Sequence, residues 1–390
     1  MNISVIKSIV GSSFLKVSGS IISFVTVPLL LKALGTIEYG TWVTLTALIG
    51  WLALFDFGSG FSLKNKVTET LVDKDYDSLN VIVAGTIQFY VLTTIVLLMV
   101  FGVSLFIMDV LKNNIELSII LYLPIILTFP TGVGSFILQG LKKFNLINLI
   151  FFSQSTLWLL IIILNSYGFV NLDIYKIALW YTLFFILSRC LILYKGLQFL
   201  NFKFKEVFNI THFKKSKKSL LVGGRFFLLQ ISSLFLFSIG NIMTYSNLGQ
   251  ANVSQFDTVS KIYLVGMTFF GIFIGVFWSE ISHAKALKDK QLLFKIRKQL
   301  FFIALIFSLG TIIVSCFMPI IIPIWTKGIL QVNFKDLYPF MFLAIIQYFS
   351  YCGAVFLNAF EDLKGQVVLS LLGAAIIFPL SLFFFKINIG

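Results

Sequence analysis

The chain has 390 residues, 58% of them hydrophobic and 12% charged, with a mean hydropathy of +0.97 and a net charge of +14. A soluble domain carries about 25% charged residues, so the composition excludes a soluble globular protein. The period-two alternation over about ten residues that marks an outer-membrane barrel is missing too. Apolar runs of around 20 residues, each able to cross about 30 Å of hydrocarbon as a helix, predict an all-α polytopic membrane protein.

In chain order the runs predict eleven spans. Six fall in the first half, at roughly residues 9–34, 39–62, 80–108, 117–141, 149–169 and 174–197. Five fall in the second, at roughly 220–245, 253–279, 300–325, 337–360 and 366–385. The first run lacks a small-residue cleavage site and leads straight into the second, so it reads as a retained helix and not a signal peptide. The loops are too short to fold as catalytic domains. The longest, residues 201–219, is basic and separates residues 1–200 from residues 220–390.

Position explains the net charge. With the N-terminus inside, segments facing the cytoplasm hold twenty Lys and Arg residues and the opposite segments six. That asymmetry follows the positive-inside pattern, sets the N-terminus on the cytoplasmic side, and brings basic loops to anionic lipid headgroups. Nucleic acid is not needed as a partner. Cys190, Cys316 and Cys352 fall singly in apolar runs and read as packing residues, and His212 and His283 form no cluster. No metal site is expected.

An internal repeat links the halves. Leu34-Gly35 aligns with Leu248-Gly249, the proline of "LYLP" (Pro124) with that of "LYP" (Pro339), and "LQG" (Leu138–Gly140) with "LNA" (Leu357–Ala359). The offsets are 214, 215 and 219 residues, in unbroken order. Both units start on the same membrane side, so they predict two six-helix lobes in a parallel pseudo-two-fold repeat around a central cleft. Twelve spans are then expected: either the sequence is truncated after the eleventh, which is favoured, or this chain lacks the last helix.

The stretch "LLLKALGTIEYGTWVTLTALIGWLALFDFGSGFSLKNKV", residues 29–67, resembles the N-terminal signature of bacterial polysaccharide translocases, with its Leu-Gly, Tyr-Gly and Asp-Phe-Gly. "LQGLKKFN" and "LNAFEDLKGQ" resemble the family's ends of spans four and ten. This family is the Wzx-type flippases, in the multidrug/oligosaccharidyl-lipid/polysaccharide exporter superfamily. The resemblance implies a non-enzymatic flippase that moves an undecaprenyl-pyrophosphate-linked oligosaccharide outward by alternating access, for O antigen, capsule or exopolysaccharide. It also implies the pathway's polymerase and chain-length regulator as partners, and no cofactor apart from a coupling proton or sodium ion.

Ionisable residues inside spans are the first candidates for a cargo site. Lys16, Arg225 and Lys261 are expected to face the pyrophosphate and glycan. Lys16 and Asp56 lie about 20 residues on either side of a turn near residue 36, hence at equal depth, and are expected to approach each other; the alternative is that Lys16 reaches to the interface and Asp56 neutralises Lys64. Asp257 precedes Lys261 by four residues, the spacing of an intrahelical ion pair: it either cancels the lysine or carries the coupling ion. Pro28 is a candidate kink or gate in span one. Arg189 and Glu280 are expected to reach the interface. A small-molecule antiporter of the same fold, and a membrane polysaccharide polymerase or glycosyltransferase, are the competing readings.

Overall fold

The computed structural model describes residues 3–72, 75–209, 211–214, 216, 227, 230, 231, 239–360 and 363–386. Most of span seven therefore lies outside the described residues, and so do the side chains of several helical residues, Lys16 among them. Among the described residues there is no strand.

The predicted spans form helices wherever their residues are described. Spans one and two are one assigned helix, α1 (Ile3–Ile49), continued by a 3-10 segment, Gly50–Asp56. α1 is broken by non-helical backbone at Gly35, where φ is +71°. A straight helix would place Gly19 and Thr46 about 40 Å apart at 1.5 Å per residue. Both line one cavity of about 280 Å³, together with the pairs Thr26/Thr46 and Leu30/Trp42. α1 therefore folds back on itself about a point near residue 36, as the sequence count required. Pro28 lies inside its first arm, and the break in α1 is at the glycine.

The remaining first-half helices are α2 (Ser59–Val72), α3 (Tyr76–Ile107), the short α4 (Asp109–Lys112), α5 (Ile115–Leu127), α6 (Val133–Gly140), α7 (Phe144–Ser166) and α8 (Ile174–Leu200). Predicted span four is α5 and α6, bent by 55° where Phe129–Gly132 interrupts them. In the second half come α9 (Ile239–Leu248), α10 (Gln250–Ala286), α11 (Lys290–Trp325), α12 (Phe334–Phe360) and α13 (Leu363–Lys386). Six helices among the described residues are individually long and apolar enough to cross a membrane, with α1 and its extension counted once, and the bent pair makes a seventh.

Within the first half α7 packs on α1 and α8, and α6 on α2 and α8; within the second, α10, α11 and α12 pack on one another. Close approaches use glycine where helices cross. A Cβ on Gly134 would overlap the backbone of Leu193 on α8, and one on Gly60 would enter the Phe136 ring on α6. Many large apolar residues stay exposed, Phe106, Phe302 and Ile324 among them. In water such a surface would aggregate; it fits a lipid-facing perimeter. Cys190 and Cys316 are exposed on that surface, so the packing role expected of them does not hold.

The repeat is visible in the backbone. Gly249, aligned with Gly35, also has positive φ, +85°. Thr68 Oγ1 donates to the Gly140 carbonyl at 3.0 Å, and Lys285 Nζ donates to the carbonyls of Ala359 and Phe360 at 3.5 and 3.2 Å, so both "LQG" and "LNA" receive a bond from a neighbouring helix. The contact between the halves repeats as well. A Cβ on Gly40 would overlap the carbonyl of Gln250, and Ser254 Oγ donates to the carbonyl of Thr36. Shifted by 214 residues, Thr36 becomes Gln250 and Gly40 becomes Ser254, so the two contacts exchange partners. That is the self-complementary contact of a two-fold axis, running through the Gly35 end of the bundle.

Candidate functional site

The seam between the halves holds a connected polar cluster inside the bundle. α10 begins at Gln250 beside the Gly35 end, so Asp257 and Lys261 lie about 10 and 16 Å along it. A helical side chain leans toward the N-terminus of its helix, which carries the Lys261 ammonium back over Asp257. Lys261 Nζ lies 2.7 Å from Asp257 Oδ2, completing the predicted i,i+4 pair. Tyr39, opening the second arm of α1, donates its hydroxyl to the same carboxylate oxygen at 2.7 Å and accepts from Lys261 Nζ at 3.1 Å. Asn241 of α9 donates to Asp257 Oδ1 at 3.3 Å. The lysine ammonium also sits 5.5 Å from the centroid of the Tyr39 ring.

The carboxylate is thus satisfied by three donors while staying almost wholly buried; its side chain is 10% exposed, against 26% for Lys261. The lysine side chain reaches two adjoining cavities. One, of about 330 Å³, lies between α1, α7 and α10 and is walled by Ser20, Ser23, Asn148, Ser155 and Thr268 among others. The second, of about 280 Å³, is walled by Thr26, Thr46, Trp42, Trp158 and Tyr181. Of an ammonium's three donors, one goes to Asp257 and one to Tyr39, and the third is available to the cavity.

Tyr39 is the residue that sequence reading missed. Its signal was the Tyr-Gly pair of "EYG", noted as a motif with no role attached; the partner 218 residues away becomes visible only once the halves meet. Replacing Tyr39 by phenylalanine is expected to leave the packing intact and to remove a donor to a buried carboxylate, at about 1–3 kcal/mol. Thermal unfolding in detergent should show a fall of a few degrees in Tm. An unchanged Tm would mean that the hydroxyl does not hold the seam.

Asp56 lies elsewhere. It is buried at the end of the 3-10 segment, where Phe57 and Gly58 take positive φ (49° and 72°) and turn the chain into α2. The Gly58 amide donates to its Oδ1 at 2.7 Å and Tyr90 OH to its Oδ2 at 3.4 Å, and Gln230 also bonds to the carboxylate. The Gly60 amide bonds to the carboxylate as well. The side chain of Lys16, and Arg225 entirely, lie outside the described residues. Asp56 lines a separate cavity of about 410 Å³, which shares the Phe151 wall with the first Lys261 chamber.

Arg189 lines the Asp56 cavity too, which corrects the expectation that it reaches the interface. Its guanidinium lies 5.3 and 5.1 Å from the ring centroids of Phe151 and Phe185. Eleven residues before the end of α8, roughly 16 Å from it, the guanidinium stays inside the bundle and stacks on aromatic faces. Glu280 is exposed, in keeping with an interface group. Gln154 accepts from Ser188 Oγ at 2.6 Å and ties α7 to α8, whereas Gln139 faces the cavity.

No protein-family model matches the sequence, and no curated protein is significantly similar to it. Solved structures do resemble it. The chain is similar to the inward-facing conformation of a multidrug resistance MATE family transporter of the MOP superfamily, with a TM-score of 0.68 and 13% identity over 92% of this chain and 84% of that one. It is also similar to a MATE protein in complex with MaD3S, with a TM-score of 0.59 and 16% identity over 93% and 84% of the two chains. With a MATE protein in complex with MaD5 the TM-score is 0.55, at 16% identity over 94% and 86%. The chain is an all-α polytopic membrane protein with a MATE-like transporter fold.

Proposed function

We propose that this protein is a flippase for an anionic, polar cargo, the undecaprenyl-pyrophosphate-linked oligosaccharide of a surface-polysaccharide pathway. The observation that supports this most directly is the charge of the cavity. Among the described residues lining the two seam chambers, Lys261 is the basic one, and none of them is an aspartate or a glutamate. With its carboxylate partner behind it, the ammonium turns its remaining donor to the chamber, where a phosphate oxygen can accept a charge-assisted hydrogen bond. The hydroxyls of Ser20, Ser23 and Thr26, beside the indoles of Trp42 and Trp158, suit a glycan, which offers both hydroxyl groups and apolar ring faces. In this reading residues 1–200 and 220–390 are lobes that rock about the seam, joined by the basic linker 201–219. The Asp56 end faces the cytoplasm, and Lys16 and Arg225 add positive charge at the cargo's entry.

A second reading has one observation of its own. Asp257 is a buried carboxylate beside the cavity, the kind of group a proton or sodium ion can neutralise. An antiporter of small organic cations would use it, and a multidrug resistance transporter shares the fold. Deleting the gene and assaying which leaflet holds the lipid-linked oligosaccharide separates the two. A flippase leaves it accumulating on the inner face. Unchanged distribution together with reduced efflux of organic cations would favour the antiporter.

A further inference from the structure

A third cavity adjoins the seam, and its chemistry is the opposite of the Lys261 chamber. It is a slot of about 460 Å³ between α10, α11 and α12, within the roughly 300–1,000 Å³ range of ligand sites. Phe24 and Val265 line both the slot and the Lys261 chamber, so one thin apolar partition separates them. Phe24 is stacked on Trp325 with ring centroids 3.9 Å apart.

The slot offers a ligand no spare polar contact of note. Tyr263 OH pairs with Ser315 Oγ at 2.8 Å and donates to the Leu337 carbonyl at 3.2 Å; Tyr348 OH pairs with Thr311 Oγ1 at 3.0 Å. What remains is aromatic faces and aliphatic groups. Its inner wall includes Met318 and Tyr348, each about 1% exposed, whereas Phe269, Ile306 and Val314 at its rim are exposed on the bundle surface. The slot thus runs from the lipid-facing perimeter inward to Phe24.

We propose that the slot is a subsite for the hydrocarbon segment adjoining the anionic head of an amphiphilic cargo, a prenyl-type phosphate or pyrophosphate whose head lies at Lys261. The inference rests on the anionic-cargo reading above and adds the place where the chain leaves the site. Lipid is as apolar as the slot, so the tail gains little by moving from one to the other. The gain is geometric. With the tail in the slot, the head stays at Lys261 while the chain passes between α10 and α11 to the bilayer, and no hydrocarbon is drawn through the polar chamber.

Gly310 supplies the test. It is helical, faces the slot, and a Cβ there meets nothing within 4 Å, so Gly310→Leu fills the space while improving helix propensity. Binding to the purified full chain would be measured for three probes: farnesyl pyrophosphate, inorganic pyrophosphate and farnesol. The farnesyl tail of this water-soluble probe leaves water and not lipid, so farnesyl pyrophosphate is expected to bind at least about ten-fold more tightly than inorganic pyrophosphate. Gly310→Leu should bring it down toward the inorganic value, and Lys261→Gln should weaken both anions and leave farnesol unmoved. Val314→Phe, which fills the slot from its rim, is the second variant should the first melt early. If farnesyl and inorganic pyrophosphate bind alike, or neither filling variant lowers farnesyl pyrophosphate affinity, the slot is not a tail site and the anionic-cargo reading survives. If inorganic pyrophosphate does not bind, that reading falls and the slot proposal falls with it.

Discussion

Replacing Lys261 by alanine is expected to lower the rate of cargo translocation by about ten- to a hundred-fold per folded molecule. The ammonium spends two donors on Asp257 and Tyr39 and keeps one for the cavity. A charge-assisted hydrogen bond is worth about 1.5–3 kcal/mol, and each 1.4 kcal/mol is a factor of about ten. The alanine variant also leaves Asp257 buried with only Tyr39 and Asn241 as partners, which destabilises the fold as well. Two companions separate the effects. Lys261→Arg keeps the charge and should retain part of the transport. The double variant Lys261→Met/Asp257→Leu exchanges the pair for apolar residues, a change often neutral for folding, and should fold yet not transport. Translocation of a fluorescent lipid-linked oligosaccharide in proteoliposomes is the readout. Wild-type rates in the double variant would remove Lys261 from the cargo site.

Replacing Gly40 by leucine should have the largest effect on conformation. A Cβ at residue 40 overlaps the backbone carbonyl of Gln250, and backbone cannot rotate aside as a flexible side chain can. The Gly35 end must separate, taking with it the Ser254–Thr36 bond and the Tyr39 contacts with Asp257 and Lys261. Inverting a two-state population from 1:99 to 99:1 needs about 5.5 kcal/mol, a scale that overlap of backbone atoms together with loss of three buried polar contacts approaches. Cysteines at Thr36 and Ser254 should cross-link readily in an otherwise wild-type chain and poorly with Gly40→Leu. Equal cross-linking in the presence and absence of the leucine would show that the Gly35 end is not held by this contact.

Asp56 shows how far a sequence argument reaches. Counting from the turn placed it near the far end of span two, and the structure puts it there, in a turn built by Phe57 and Gly58. The two glycines of "DFGSG" do different work. Gly60 allows a close approach to Phe136, whereas Gly58 serves the turn through its positive φ and gives its amide to Asp56. Neighbours of Asp56 such as Tyr90 and Gln230 were not legible, because they come from spans three and seven, 34 and more residues away. Arg189 failed for a related reason. Its depth was readable, but the aromatic faces of Phe151 and Phe185 that let it stay inside were not.

The sequence by itself determined the class of protein, the approximate spans, the fold-back near residue 36, the repeat, and the Asp257–Lys261 pair. Each depends on local spacing, composition or depth, quantities that a one-dimensional pattern carries because a helix advances a set distance per residue. Only the tertiary structure decided which face of each helix meets which neighbour. It joined Tyr39 to Asp257 across 218 residues, turned Lys261 toward two chambers, and set an apolar slot behind Phe24. In a chain this apolar every face of a helix reads alike, as the almost vanishing amphipathicity of α1, α3 and α8 attests. The choice of face falls to small-residue contacts and buried polar bonds between helices, and those exist only once the helices are packed.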